Sequence, residues 1–216
     1  MINRIEAALE QHFSLAATAS APPRLIQAMR HAVFPGGARI RPQLCLAVAK
    51  ACGEDDPELS DAAAAAIELL HCASLVHDDM PCFDNADTRR GRVTVHKQFG
   101  EPLALLSGDA LIVMAYQVLA HSARQHPMRA VQLLSVISNG VGAPDGIVAG
   151  QAWECESRVD LSQYQRAKTG ALFVAATCAG ALAAGVDPEP WHVLGDTLGE
   201  AYQVADDIRD VMLQSD

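Results

Sequence analysis

The chain has 216 residues, half of them hydrophobic, with 19% charged and 5% aromatic. That composition excludes disorder as a default and suits one substantial domain, 1–216, rather than two. Sixteen Lys and Arg against 26 Asp and Glu give a formal net charge of −10. Such a chain lacks the basic footprint of a nucleic-acid binder, although a few arginines can still hold an anion locally.

Much of the apolar content is alanine, a strong helix former and a poor strand residue, so an all-α fold is expected. In chain order the apolar periodicity predicts helices over 2–18, 22–33, 41–52, 57–79, 102–124, 127–139, 144–157, 160–184 and 188–214. No strand-like alternation interrupts them. Asp56-Pro57 and Asp187-Pro188 each read as an N-cap followed by proline at the first helical position. Asp160 with Gln163 resembles a capping box, and Gly53 and Gly185 stand where C-terminal cap glycines belong. The uncharged run 169–186 is dominated by Gly and Ala and reads as a buried helix rather than a membrane span. Met1 to Gln11 has no basic-then-apolar order, so no leader and a cytoplasmic location are expected. The six cysteines form no metal-type spacing and read as small buried hydrophobes in a reducing compartment.

The chemistry concentrates in a few places. Phe34-Pro35-Gly36-Gly37-Ala38-Arg39-Ile40-Arg41-Pro42 is a glycine turn feeding a helix start, with two arginines able to grip phosphate oxygens. His71 lies two helical turns before Asp78 and so shares its face. Asp78, Asp79 and Asp84 form a first aspartate cluster at the end of a long helix, with Pro81 freeing Asp84 to fold back towards Asp78. Arg89-Arg90-Gly91 follows, bringing positive charge beside negative. Lys168-Thr169-Gly170 sits at the edge of an apolar helix. Gln203 precedes a second cluster of Asp206, Asp207 and Asp210, whose spacing of three and four places like charges on one helical face. Repulsion makes that arrangement costly unless hard cations sit there, and Mg2+ takes one or two carboxylates plus phosphate oxygens and water. Neither cluster has the alternating ligands, central Gly and terminal Glu of a calcium loop. Two opposed carboxylate clusters, several cations and small-residue helices between them suit an amphiphile with a diphosphate head and a hydrocarbon tail.

The segments GGARIRP, LLHCASLVHDDMPCFDNADTRRG, LLSGDALI, AGQAWE, KTGALF and GEAYQVADDIRD together resemble the trans-prenyltransferases, the polyprenyl diphosphate synthases, and most of all the bacterial geranylgeranyl diphosphate synthases of carotenoid pathways. The resemblance implies an isoprenoid synthase-type helical bundle around a central hydrophobic cavity. It also implies Mg2+-assisted condensation of isopentenyl diphosphate with an allylic diphosphate (dimethylallyl, geranyl or farnesyl) through an allylic carbocation. By resemblance Asp78, Asp79, Asp84, Asp206, Asp207 and Asp210 face the metals, and Arg89 and Lys168 contact the allylic diphosphate. Thr169 and Gln203 line the cation region; Arg41, His71 and Arg90 hold isopentenyl diphosphate. Ala73 and Ser74, small residues just before Asp78, leave the tail pocket open to a C20 product, where a bulky aromatic closes it early in relatives. The alternatives are a farnesyl diphosphate synthase, a non-catalytic subunit of the same fold, and a terpene cyclase; the last has no use for a second diphosphate site. A homodimer is expected by analogy. Ala38 stands where the family usually has lysine. Relatives continue well beyond the second cluster, so the chain is expected to lack the C-terminal helices of the bundle and to be part of a longer protein.

Overall fold

The structure, a computed structural model, describes residues 1–34 and 36–213, with side chains as far as Ile208. The helices are α1 (Ile2–Ala16), α2 (Pro23–Val33), α3 (Ile40–Ala51), α4 (Pro57–Asp78), α5 (Val95–Phe99), α6 (Glu101–His121), α7 (Pro127–Val141), α8 (Ile147–Ala152), α9 (Leu161–Gln165), α10 (Ala171–Ala183) and α11 (Glu189–Leu213). Single turns of 3-10 helix follow α6 and α8, at Ser122–Arg124 and Trp153–Cys155.

Helix α4 is the centre. Five consecutive alanines, Ala62 to Ala66, are almost fully buried, together with Leu59, Ile67, Leu69 and Leu70. It packs against α3, α6 and α10, so it is apolar on several faces at once. Burying each large side chain is worth about 1.5–3 kcal/mol, while the alanines let the neighbouring helices approach closely. Asp56 caps the helix by accepting from the Leu59 N–H at 3.1 Å, and Asp160 does the same for α9 through Gln163. Gly53 and Gly185 have φ of +99° and +72°, as cap glycines require. Helix α10, inside the uncharged run, is buried along nearly its whole length.

Two stretches, α4 and Glu101–Arg124, are long and apolar enough to cross a bilayer by length alone; 78% of the first window is buried inside the fold, against 44% of the second. Only Cys45, Cys72 and Cys178 are buried. Cys82 and Cys155 are exposed, contrary to the expectation for all six, and none is paired.

The sequence pattern misses three features. Residues 160–184 do not form one helix: a π turn, Arg166–Gly170, separates α9 from α10. The 144–157 segment begins its helix only at Ile147, since Pro144 and Asp145 stay in the preceding turn. A two-stranded antiparallel hairpin, β1 (Thr88–Arg89) and β2 (Arg92–Val93), joins the first aspartate cluster to α5. Its loop residues Arg90 and Gly91 have φ of +52° and +75°, the two positive values of a type I′ turn. Asn-Gly usually announces that turn, and Arg-Gly does not.

Candidate active site

Helix α4 carries His71, Ser74 and Asp78 down one face into a cavity of about 1140 Å³. Arg41 from α3, Arg89 and Arg90 from the hairpin, Lys168 and Thr169 from the π turn, and Asp206 from α11 line the same cavity. Leu105, Ile147, Val148 and Leu172 give it apolar walls. The π turn matters here. Neighbours in a regular helix point about 100° apart, whereas Lys168 and Thr169 both reach this space.

The loop after Asp78 folds back as its proline suggests. The Asp84 N–H donates to the Asp78 carbonyl at 3.0 Å, and the Ala86 N–H to that of Asp79 at 3.1 Å. Arg89 bridges the pair, its Nε donating to Asp79 at 2.7 Å and its Nη2 to Asp78 at 3.2 Å. Burial pushes the Asp79 carboxyl up, with Arg89 opposing. Asp84 is also pushed up, by burial first and then by the charge of Asp78. Three carboxylates gathered in one short segment, two of them pushed up chiefly by burial, suit a hard divalent cation, so the donor set fits Mg2+. Among the described residues no group of three such side chains is already gathered around one point.

Lys168 reaches Asp78 at 3.4 Å and also donates to Glu154. Glu154 accepts from Gln151 at 2.7 Å and from the Tyr164 hydroxyl at 2.8 Å. Burial would lower the Lys168 ammonium, but Glu154 and Asp78 outweigh it and hold the group protonated. Gln151 and Glu154 lie in AGQAWE, a segment in the resemblance to which the sequence assigned no role.

Arg41 is placed for an anion. Its guanidinium lies 4.6 Å from the Phe173 ring centre and 5.7 Å from that of Tyr202. Its buried Nε has no hydrogen-bond partner, and burial lowers its pKa. Burial also holds His71 well below the ordinary imidazole range, and Arg41, Arg90, Arg89 and Arg39 push the same way.

Several expected residues stand elsewhere. Arg39, expected to bind substrate, turns into the protein: its side chain is 1% exposed and donates to Glu68 at 2.6 Å, Glu6 at 2.8 Å and the Val33 carbonyl at 2.8 Å. A buried guanidinium without those carboxylates would be costly, so its role is structural. Ala73, expected beside the tail, is 1% exposed in the main core, whereas Ser74 faces the cavity. Of the second aspartate cluster, Asp206 lines the cavity, beside Tyr202 of the same helix. Asp207 accepts from Gln203 at 2.8 Å and Gln165 at 3.5 Å in a separate groove, and Thr169 donates to Gln203 at 2.6 Å. Asp210 lies outside the residues whose side chains are described.

The comparisons with known proteins agree with this geometry. A family model described as polyprenyl synthetase matches residues 22–216. The chain is 57% identical to a geranylgeranyl diphosphate synthase of Cereibacter sphaeroides, covering 99% of this chain and 74% of that one. It is 54% identical, with the same coverage, to a geranylgeranyl diphosphate synthase of Rhodobacter capsulatus. Among solved structures, a geranyltransferase from Legionella pneumophila superposes with a TM-score of 0.85 at 33% identity over 98% of this chain and 77% of that one. An FPP/GFPP synthase from Zymomonas mobilis gives 0.84 at 35% identity over 98% and 83%. With the family model covering nearly the whole chain, and relatives above 50% identity covering three quarters of their own length, the chain belongs to the polyprenyl synthetase family.

Proposed function

We propose that the protein is a short-chain prenyl diphosphate synthase that condenses isopentenyl diphosphate with an allylic diphosphate, with geranylgeranyl diphosphate (C20) as its main product. The observation that carries this is a single cavity holding Asp78 and Asp206, the four cations Arg41, Arg89, Arg90 and Lys168, and apolar walls. Relatives above 50% identity that bear the name geranylgeranyl diphosphate synthase support the same product.

In this proposal Arg89 and Lys168 release Asp78 and take the oxygens of the allylic diphosphate. Asp78, Asp79 and Asp84 on one side and Asp206, Asp207 and Asp210 on the other would hold Mg2+, which would supply Lewis-acid neutralisation of the leaving diphosphate. The Thr169 oxygen, on the cavity wall and oriented by its hydrogen bond to Gln203, would lie beside the developing allylic cation and stabilise it as a preoriented dipole. Arg41, His71 and Arg90 hold isopentenyl diphosphate so that its double bond attacks; one C–O bond breaks, one C–C bond forms, and a proton is lost. The growing chain runs past Ser74 between the apolar walls.

A homodimer is part of the proposal. On α6, Leu106 and Val113 are 51% and 56% exposed and lie two helical turns apart on one face. An apolar stripe on an otherwise core helix is a surface that a second copy can cover. A cytoplasmic location is likewise part of the proposal. Incubation with isopentenyl diphosphate, farnesyl diphosphate and Mg2+, followed by mass identification of the product, tests the function. A C20 diphosphate is expected; a C15 ceiling with geranyl diphosphate would make it a farnesyl diphosphate synthase, and no condensation would leave a non-catalytic subunit.

A further inference from the structure

The hairpin that presents Arg89 and Arg90 is too small to hold itself in place. Each strand has two residues, and an isolated hairpin of any size is marginal in water. Nor is it packed onto solid core: a cavity of about 70 Å³, walled by Asp79, Arg89, Arg92 and Val93, lies behind it. Its position must therefore come from directed hydrogen bonds.

One set of those bonds runs to the end of α2; the others are the Arg89 contacts with Asp78 and Asp79 and the Thr94 hydroxyl donating to the Ala86 carbonyl at 2.8 Å. Arg92 Nη1 donates to the Phe34 carbonyl at 2.6 Å and to the His31 carbonyl at 3.3 Å. Arg92 Nη2 meets His31 Nδ1 at 3.0 Å, and His31 Nε2 meets the Val93 carbonyl at 2.7 Å. A guanidinium can only donate and a carbonyl can only accept, so Nδ1 is the acceptor and Nε2 carries the proton. The imidazole is thus a neutral bridge with one hydrogen bond in each direction. Together the two side chains satisfy carbonyls that a helix C-terminus leaves open and sew α2 to β2.

What hangs on this seam is the second set of cations. Phe34 begins the glycine turn that leads to Arg41, and β2 sits against β1, whose loop carries Arg90. That loop arginine is in the left-handed region, and its guanidinium lies over Gly37, where even a methyl group would collide with it. The spacing between Arg41 and Arg90 across the cavity is thereby set by how the hairpin docks on the end of α2. We infer that His31 and Arg92 form a positioning latch that fixes Arg90 against the glycine turn and so determines affinity for isopentenyl diphosphate, the non-allylic substrate. This rests on the function proposed above. Neither residue touches the main cavity. Arg89, by contrast, is also held by Asp78 and Asp79, so the allylic side is anchored independently.

The test is a steady-state comparison of His31→Leu, Arg92→Met, the double variant and His31→Gln. An amide can accept from Arg92 and donate to Val93 as imidazole does. The KM for isopentenyl diphosphate should rise about tenfold in both disrupted variants, with kcat and the KM for farnesyl diphosphate within about twofold. The double variant should be no worse than either single one, because both break the same seam, and His31→Gln should stay near the parent. Equal rises in both KM values, a fall in kcat alone, additive effects, or failure of His31→Gln to rescue would overturn the latch. If Arg92→Met does not fold, Arg92→Lys keeps the charge without the fork and should give the same selective rise. A parent protein without condensation activity would refute the functional proposal instead. Calorimetric binding of inorganic diphosphate then decides the latch: affinity should fall about tenfold in His31→Leu and hold in His31→Gln, and unchanged affinity in His31→Leu would overturn it.

Discussion

The two aspartate clusters are alike in sequence and unlike in structure. The first ends α4, the central helix, and its loop is tied back on itself by main-chain hydrogen bonds and cross-linked by Arg89 and Lys168. The second lies along α11, which packs on α10 and the π turn and leaves Val193, Val204 and Ile208 exposed at 69%, 57% and 56%. One set of carboxylates is preorganised by the core; the other sits on a helix supported chiefly from one side. Like charges gathered on a buried frame need counter-cations even without ligand, and here the protein supplies them itself. Asp78 and Asp79 each have a basic partner, so deleting either removes an ion pair as well as a repulsion.

The comparison breaks if the two clusters do not act together. Asp78→Ala and Asp206→Ala should each lower condensation by about 10²–10³-fold or more, because each removes charge compensation for the leaving group. Circular dichroism should show the helical content retained. Full activity in either variant would mean that cluster does not serve the reaction.

Stability should separate the clusters more sharply than activity does. The frame under the first cluster includes the buried Arg39–Glu68 pair, 1% and 3% exposed. Glu68→Ala leaves that guanidinium in the core with Glu6 as its remaining carboxylate, at a cost of about 3–5 kcal/mol. Asp207→Asn changes an exposed group and should stay within about 0.5 kcal/mol. Urea unfolding of both variants measures the contrast, and equal losses would remove the distinction between a core-supported and a surface-supported cluster.

Helix periodicity and cap chemistry are local, which is why α4, its Asp56 cap and the two aspartate clusters were legible from the chain. Lys168, Thr169, Arg41 and His71, singled out by spacing and by the family pattern, line one cavity. What stayed hidden depends on contacts distant in sequence. Arg39 and Arg41 look equivalent across Ile40, yet the left-handed backbone at Arg39, with φ of +50°, sends one to Glu68 and leaves the other facing the cavity. The π turn has no composition of its own. It lies where α8 and α11 press close: added Cβ atoms would collide with the Lys168 backbone at Gly150 and come within 2.8 Å of Gly170 Cα at Gly199. Ala73 and Ser74 are adjacent, so helical geometry alone placed both below the metals. Only the packing of α4 shows that one faces the core and the other the substrate.

That last difference gives a chain-length test. Ser74→Phe should place an aromatic in the tail's path and shift the main product towards C15, with the condensation rate changed by less than about tenfold. Ala73→Phe should instead overpack the core, costing about 1–3 kcal/mol without a clean product shift. Product analysis of the two variants side by side decides it. Shortening by Ala73→Phe and not by Ser74→Phe would show that the tail follows a different wall.

The smallest expected effect concerns His71 and reads the charge of the site directly. Burial and four neighbouring arginines hold the folded-state imidazole well below its ordinary range. In the unfolded chain it protonates near the usual histidine value of about 6.5. Below that value the unfolded state binds more protons, so stability should fall as pH drops from 7 to 5 and level off above 7. His12 is lowered as well, by burial and by His121, so His71→Gln should remove part of the slope and leave the share from His12. Inorganic diphosphate between Arg41 and Arg90 would offset the arginines' field and favour the charged imidazole. It should therefore flatten the slope of the parent protein and barely change that of His71→Gln. Thermal unfolding across this pH range, with and without diphosphate, separates the two histidines. An identical diphosphate effect in parent and variant would mean that the anion binds away from His71, and that the arginines of α3 and the hairpin do not form one cradle.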